Sequence, residues 1–411
     1  MGSQIFTNIK TLVNVRESSG FLRGKELAVM PCIKNAYLIV EDNVIAEFGA
    51  MENFRFHGNV LQQETGTMVL PAWCDSHTHL IYAASREEEF VAKIKGVSYS
   101  EIAAKGGGIL NSAKRLNDAS EDTLFAEAWK RLEEVSRLGT GAIEIKSGYG
   151  LSLDGELKML RVIKKLKEKS TVCIKATFLG AHAYPLKYKE DHQAYIDILV
   201  NEMLPVIGKE KLADYIDVFC EEGFFSPEEM ETICNAGKKY GLKPKLHVNQ
   251  LNSIGGIEAG IRLDALSLDH LETLNDNDIK LLGKFNGAST LLPTAAFFLR
   301  MGYQPARALL DAGAAVTLAS DYNPGSSPSG NMNFVVSLSC IQMKMLPEEA
   351  INAATYNGAC AMEIQNEYGS IFRGKKANLI FTKPVTSLAY LPYAFGSNCI
   401  SRVMINGSFI S

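Results

Sequence analysis

Eight short apolar runs, spaced through the middle of the chain and separated by longer amphipathic stretches, constrain this fold more than any other feature. The runs are TMVLPAWCDSHTH, GAIEIKSGYG, TVCIKATFLGAHAY, YIDVFCEEGFF, KPKLHVNQL, DALSLDHLE, ASTLLPTAAFF and AAVTLASDYNPG. Strands buried on both faces of a parallel sheet read this way, as near-continuous hydrophobic segments. The stretches between them carry helix start and stop signals. Ser120 is an N-cap candidate and Gly139 a stop; Ser226, Pro227 and Glu229 form a capping box, closed near Gly241. Eight strands, each followed by helix, predict an α/β chain built as a (β/α)8 TIM barrel over residues 67–365.

The flanks have a different period. AYLIVEDNVIAEFG alternates apolar and polar residues about a turn at Glu41-Asp42-Asn43, and SRVMINGSFIS does the same about Asn406-Gly407. Neither flank is long enough to bury a core alone. One small β-sandwich domain, built from residues 1–66 and 366–411, is the economical reading.

Composition narrows the function. Of 411 residues, 21% are charged and the formal charge is −4, which argues against a chain that wraps nucleic acid or remains disordered. The eight cysteines form no CxxC pair, and the expectation is reduced thiols in a cytoplasmic protein. MGSQIFTNIK lacks the apolar segment of a signal peptide, and no run is long enough to span a bilayer, so no membrane partner is expected.

Histidine is scarce, with seven in the chain, yet five fall at the C-terminal ends of predicted strands, the face where barrel enzymes keep their active sites. His77 and His79 close the first strand as an HxH pair, and side chains two apart on a strand share a face. His247 ends the fifth strand, His270 the sixth and Asp321 the eighth. Each has an ordinary explanation by itself: a polar loop residue, a satisfied buried histidine, a capping aspartate. Together, two histidines from the first strand, one from the fifth and the aspartate of the eighth could hold one divalent ion. Imidazole and carboxylate suit Zn or Fe. Asp75 is a candidate orienter for the pair.

PAWCDSHTH, LHV, DHLE and LASDYNPG resemble the amidohydrolase superfamily of metal-dependent barrel hydrolases. SREEEF, YSEIAAKGGGIL, KSGYGL, LGAHAYP and SDYNPGSSP are similar to its branch in histidine breakdown, so the resemblance covers essentially the whole chain. It implies that water opens the cyclic amide of 4-imidazolone-5-propanoate to give N-formimidoyl-L-glutamate. It implies one Zn or Fe ion per subunit on His77, His79, His247 and Asp321. Arg86 would fork the substrate carboxylate, which suits a guanidinium better than an ammonium. Tyr99, Tyr149 and His182 would contact the ring or its carbonyl, and Asn323, Gly325 and Ser326 would bind the carboxylate through side chain and backbone N–H. His270, Asp321 and Gln250 form the catalytic group.

Gln250 departs from the pattern, since some members carry a Glu there, and an amide cannot accept a proton at neutral pH. The resemblance then leaves proton transfer to His270 and Asp321, or to the metal-bound water. No lysine lies on the fourth strand, which favours one metal, with Glu221 or Glu222 as bridging alternatives. Asn378 stands where an Asp is common. A small-molecule substrate and a homodimer are expected. The alternatives are a deaminase or other cyclic amidase on the same scaffold, and a metal-free binding protein.

Overall fold

The computed structural model describes residues 3–55, 61–97 and 107–410. Its central sheet has eight parallel strands: Trp73–Thr78, Thr140–Lys146, Cys173–Ala181, Tyr215–Cys220, Lys243–Val248, Ser267–His270, Ala288–Leu291 and Val316–Leu318. They pair in sequence order. A parallel bridge between Thr78 and Tyr322 returns the last strand to the first. Two backbone bonds reinforce it, Asp321 N–H to His77 O at 3.0 Å and His79 N–H to Tyr322 O at 2.9 Å. The sheet is therefore the expected barrel. Helices such as Glu121–Arg137, Leu153–Lys169 and Pro227–Lys238 return the chain between strands. Ser120 and Ser226 cap the first and third of these by accepting the N–H groups of Thr123 and Glu229.

The second sheet unites the chain ends. Its strand order is Ser408–Phe409, Ile400–Ile405, Leu379–Thr382, Met68–Pro71, Gln4–Val13, Cys32–Glu41 and Val44–Ala50, with Leu61–Gln63 pairing beside Gln4–Val13. A bridge between Val44 and Lys376 bends the sheet back on itself. Phe6, Leu38, Val69, Leu379, Phe381 and Met404 form part of the apolar core it encloses. Asp42 and Asn43 at one hairpin, and Asn406 and Gly407 at the other, all have positive φ, as two-residue hairpin turns require.

The division at residues 66/67 and 365/366 differs from the observed packing in two places. Met68–Pro71 pairs with Gln4–Val13 and Leu379–Thr382 in the terminal sheet. Residues 22–29 cross the other way. Leu22 and Leu27 are buried with the barrel's apolar side chains, and Asn352 Nδ2 donates to Leu27 O at 2.8 Å. The cause is burial: a leucine in a connecting segment goes to whichever core it can reach. Among the described residues, no helix is long and apolar enough to cross a membrane. All eight cysteines are unpaired.

Asn378 joins the two units. Its Nδ2 donates to Gly141 O at 3.1 Å, at the base of the barrel, and its Oδ1 accepts Asn406 N–H at 2.7 Å. The amide supplies both a donor and an acceptor here, whereas an ionised carboxylate only accepts. Asn378→Asp keeps the acceptor but turns a carboxylate oxygen against the Gly141 carbonyl. It should lower stability by about 1–3 kcal/mol, read as a lower urea midpoint; an unchanged midpoint would show that this junction contributes nothing.

Candidate metal and substrate site

Barrel closure sets the first part of the site. Asp75 Oδ1 accepts Ser320 N–H at 3.0 Å and its Oδ2 accepts Ser320 Oγ–H at 2.6 Å. Asp75 thus fixes the segment that leads into Asp321, and its carboxylate also accepts the backbone N–H of His77. His77 Nε2 and His79 Nε2 each lie 3.6 Å from Asp321 Oδ1. The ligand atoms of His77, His79 and His247 lie within 4.8 Å of one another, as do those of His77, His270 and Asp321.

Two carboxylates that the sequence reading missed set the imidazoles. Asp269 Oδ2 accepts His77 Nδ1–H at 2.7 Å, and Asp217 Oδ2 accepts His247 Nδ1–H at 2.7 Å. With Nδ1 as donor, Nε2 keeps its lone pair. His77 Nε2 is buried with no hydrogen-bond partner among the described residues, and burial holds His77, His79 and His247 well below the usual imidazole range. Neutral imidazoles with a stranded lone pair, facing a carboxylate, fit a divalent cation. The clue in the sequence was a charged residue inside an apolar run, as in YIDVF and LDHLE.

His270 lies at the end of its strand with φ 85°, followed by Leu271 at φ 64°. Such backbone states cost about 1–3 kcal/mol each, and Leu271 N–H to Val248 O and Thr273 N–H to Asn249 O hold them in place. His270 Nδ1 lies 3.4 Å from Glu272 Oε1, which also accepts Gln304 Nε2–H at 2.9 Å. Burial lowers the His270 pKa, but Glu272, Asp321 and Asp269 outweigh it and the net shift is upward. Burial pushes Asp321 up to about 6, with His270 opposing.

Above the cluster opens a cavity of about 450 Å³. Its wall includes Arg86, Tyr149, His182, Gln250, Asn323, Gly325 and Ser326, so seven residues singled out from sequence converge on it. Tyr99 lies outside the described residues. His57 does too, and His192 pairs with Glu229 away from the site; neither was expected there.

Arg86 Nε donates to Ser112 Oγ at 2.9 Å, while its Nη2 is buried with no partner among the described residues. A Cβ on Gly325 would stand 2.6 Å from Arg86 Nη1, so only glycine leaves the guanidinium its place. His182 Nδ1–H donates to Gly148 O at 3.0 Å, and burial brings its pKa down to about 4, so the ring is neutral. The ring stacks on His79, with centroids 5.4 Å apart.

Two buried glutamates shape the rim. Glu156 accepts the N–H groups of Gly148, Gly150 and Leu151, which holds the turn carrying Tyr149. Glu221 accepts Leu251 N–H, Asn252 N–H and Asn252 Nδ2–H, which holds the turn carrying Gln250. Glu221 is thus committed to the loop and is not placed to bridge ions. The 321–327 turn is held by its own bonds. The N–H groups of Gly325 and Ser326 donate to Asn323 Oδ1 at 2.7 and 2.8 Å, which stabilises the turn.

Fold and site define a class, the barrel hydrolases of the amidohydrolase family, whose model matches residues 68–410. Over 408 residues the chain is 57% identical to an imidazolonepropionase of Flavobacterium johnsoniae and 54% identical to one of Christiangramia forsetii, with 99% of both chains covered in each case. The chain belongs to the imidazolonepropionase family. Among solved structures it is similar to E. coli guanine deaminase, with TM-score 0.74 and 13% identity, covering 100% of this chain and 99% of that one. It is also similar to an adenosine deaminase from Xanthomonas campestris with bound zinc, with TM-score 0.70 and 16% identity, covering 99% of this chain and 92% of that one. These two likenesses are of fold.

Proposed function

We propose that this chain hydrolyses the cyclic amide of 4-imidazolone-5-propanoate to N-formimidoyl-L-glutamate. One observation carries the reading: the half-buried Arg86, whose buried Nη2 has no partner among the described residues, shares a cavity wall with Tyr149 and His182, next to a cluster of neutral imidazoles. Arg86 takes the propanoate carboxylate, with Gly325 leaving room for the fork. The flat ring then rests against Tyr149 and His182. His182 Nε2, opposite the committed Nδ1, accepts a hydrogen bond from a ring N–H. A deaminase reading has no use for a carboxylate-binding arginine at this wall.

The site takes one divalent ion, Zn or Fe, on His77, His79, His247 and Asp321; such an ion polarises a carbonyl and makes water a nucleophile near neutral pH. Water adds to the ring carbonyl carbon, the carbon–nitrogen bond of the amide breaks, and the freed nitrogen gains a proton. His270 takes the proton from the attacking water and passes it to that nitrogen, a role typically worth about 10²–10⁴ in rate. Gln250 orients the ring, since an amide does not titrate. We take the assembly to be a homodimer in the cytoplasm acting on this small molecule.

The direct test is incubation of purified protein with 4-imidazolone-5-propanoate and detection of N-formimidoyl-L-glutamate by mass. Activity should disappear on chelation and return with Zn(II) or Fe(II). Persistent turnover in metal-free protein would end the metal reading, and absence of product would end the substrate assignment.

Arg86→Met should raise KM about 10–100-fold, since a charge-assisted pair contributes about 1.5–3 kcal/mol. Arg86→Lys should restore part of this. A wild-type KM in Arg86→Met would place the carboxylate elsewhere in the cavity.

His270→Asn should lower kcat by at least about 10²-fold with metal still bound. Gln250→Ala should act mainly on KM, by about 1 kcal/mol. If kcat survives in His270→Asn and collapses in Gln250→Ala, the proton assignment is reversed.

A further inference from the structure

Beneath the metal site, three buried carboxylates converge on one ammonium group. Lys146 Nζ lies 2.7 Å from Glu144 Oε1, 2.9 Å from Asp217 Oδ2 and 3.7 Å from Asp269 Oδ2, and all four side chains are fully buried. The same Oδ2 atoms of Asp217 and Asp269 hold the Nδ1–H groups of His247 and His77. Each of these two oxygens therefore lies between a lysine cation and an imidazole.

The topology makes the sharing consequential. Lys146 ends the second strand, Asp217 lies on the fourth and Asp269 on the sixth, so one side chain links three alternate strands across the barrel interior. The imidazoles held this way come from the first and fifth strands. A cation with a purely structural role could pair with any buried acid. This one takes the two oxygens that orient metal ligands, and it leaves Asp217 Oδ1 to accept His247 N–H at 3.0 Å. Glu144 is tied separately, by Thr177 Oγ–H at 2.6 Å and by Lys245 at 3.1 Å.

We propose that Lys146 is a positioning residue for the metal centre: through Asp217 and Asp269 it fixes the ring orientations of His247 and His77 together, although it touches neither ion nor substrate. The inference rests on the assignment of His77, His79, His247 and Asp321 as metal ligands. Without the ammonium, the two aspartates face each other as like charges in a dry interior, where the remaining lysine, Lys245, pairs with Glu144. The aspartates must then turn or shift apart, and each carries its histidine with it.

The test measures Zn(II) affinity of the metal-stripped full chain by competition with a chromophoric chelator, and thermal unfolding of the metal-free protein in parallel. Lys146→Met should weaken Zn(II) binding about 10–100-fold, the usual effect of losing a partner behind a ligating histidine. Asp269→Asn should weaken it comparably. The double variant should be scarcely weaker than the worse single one, because the Asp269 change acts on one of the two carboxylates through which Lys146 already acts. Lys146→Met/Glu144→Gln removes one charge of each sign, keeps the buried balance, and decides the matter if the single variant does not fold. Wild-type affinity in either lysine variant, with only the unfolding temperature lowered, would overturn the proposal. So would full additivity of Lys146→Met and Asp269→Asn. A wild-type chain that takes up neither Zn(II) nor Fe(II) would instead overturn the ligand assignment itself, a distinguishable result.

Discussion

The closure of the barrel is the constraint on which the rest depends. Asp321 N–H bonds to His77 O and His79 N–H to Tyr322 O, so the bonds that complete the sheet are the ones that set an eighth-strand carboxylate against a first-strand histidine pair. These residues are some 240 positions apart in sequence and become neighbours only when the sheet curls fully round. Asp75 bonds both the N–H and the hydroxyl of Ser320 and makes the seam specific. A barrel left open at this seam could be stable and yet have no site. Fold and chemistry are therefore coupled through a few backbone bonds.

Buried charge does the remaining positioning, and it works at two depths. Inside the barrel, Lys146, Lys245, Glu144, Asp217 and Asp269 are all fully or nearly fully buried. Burying such groups costs several kcal/mol per ion unless each is paired, so their pairing is a geometric requirement. The histidines attached to that network inherit its rigidity. At the rim, Glu156 and Glu221 each collect several backbone N–H groups of one loop. A carboxylate that accepts N–H groups from a turn fixes its conformation without needing regular structure. Tyr149 and Gln250 stand on those turns, so the substrate-facing surface is rigid although it is made of loops.

The site divides its work by protonation state. Burial keeps His77, His79, His247 and His182 neutral, as ligands and acceptors must be. Only His270 has its pKa raised, because Glu272 and Asp321 outweigh its burial. One histidine among these five is thus suited to carry a proton: its carboxylate neighbours outweigh its burial, whereas burial prevails at His77 and His247. Arg86 lines the cavity with Tyr149 and His182; its Nη1 lies against Gly325 and its Nη2 has no partner among the described residues.

The sequence by itself determined a good deal. The eight apolar runs dictated eight buried parallel strands, because such segments have no polar face to give to water. The hairpins at Asp42-Asn43 and Asn406-Gly407 were legible because few residues tolerate the positive φ of such turns. His77, His79, His247, His270 and Asp321 were legible because strand ends share one face of a barrel. What remained hidden was set by contacts distant in sequence. Asp217 and Asp269 read as isolated charges in apolar runs, and only the folded barrel shows them against His247 and His77. The bonds from the N–H groups of Gly325 and Ser326 to Asn323 Oδ1, which hold the 321–327 turn, were likewise not readable from the sequence. Met68–Pro71 read as the approach to a barrel strand, yet its partners lie in both chain ends. Periodicity and turn chemistry are local, so sequence carries them; partnership of buried charges and strand edges is decided by which surfaces meet, and only the tertiary structure brings those surfaces together.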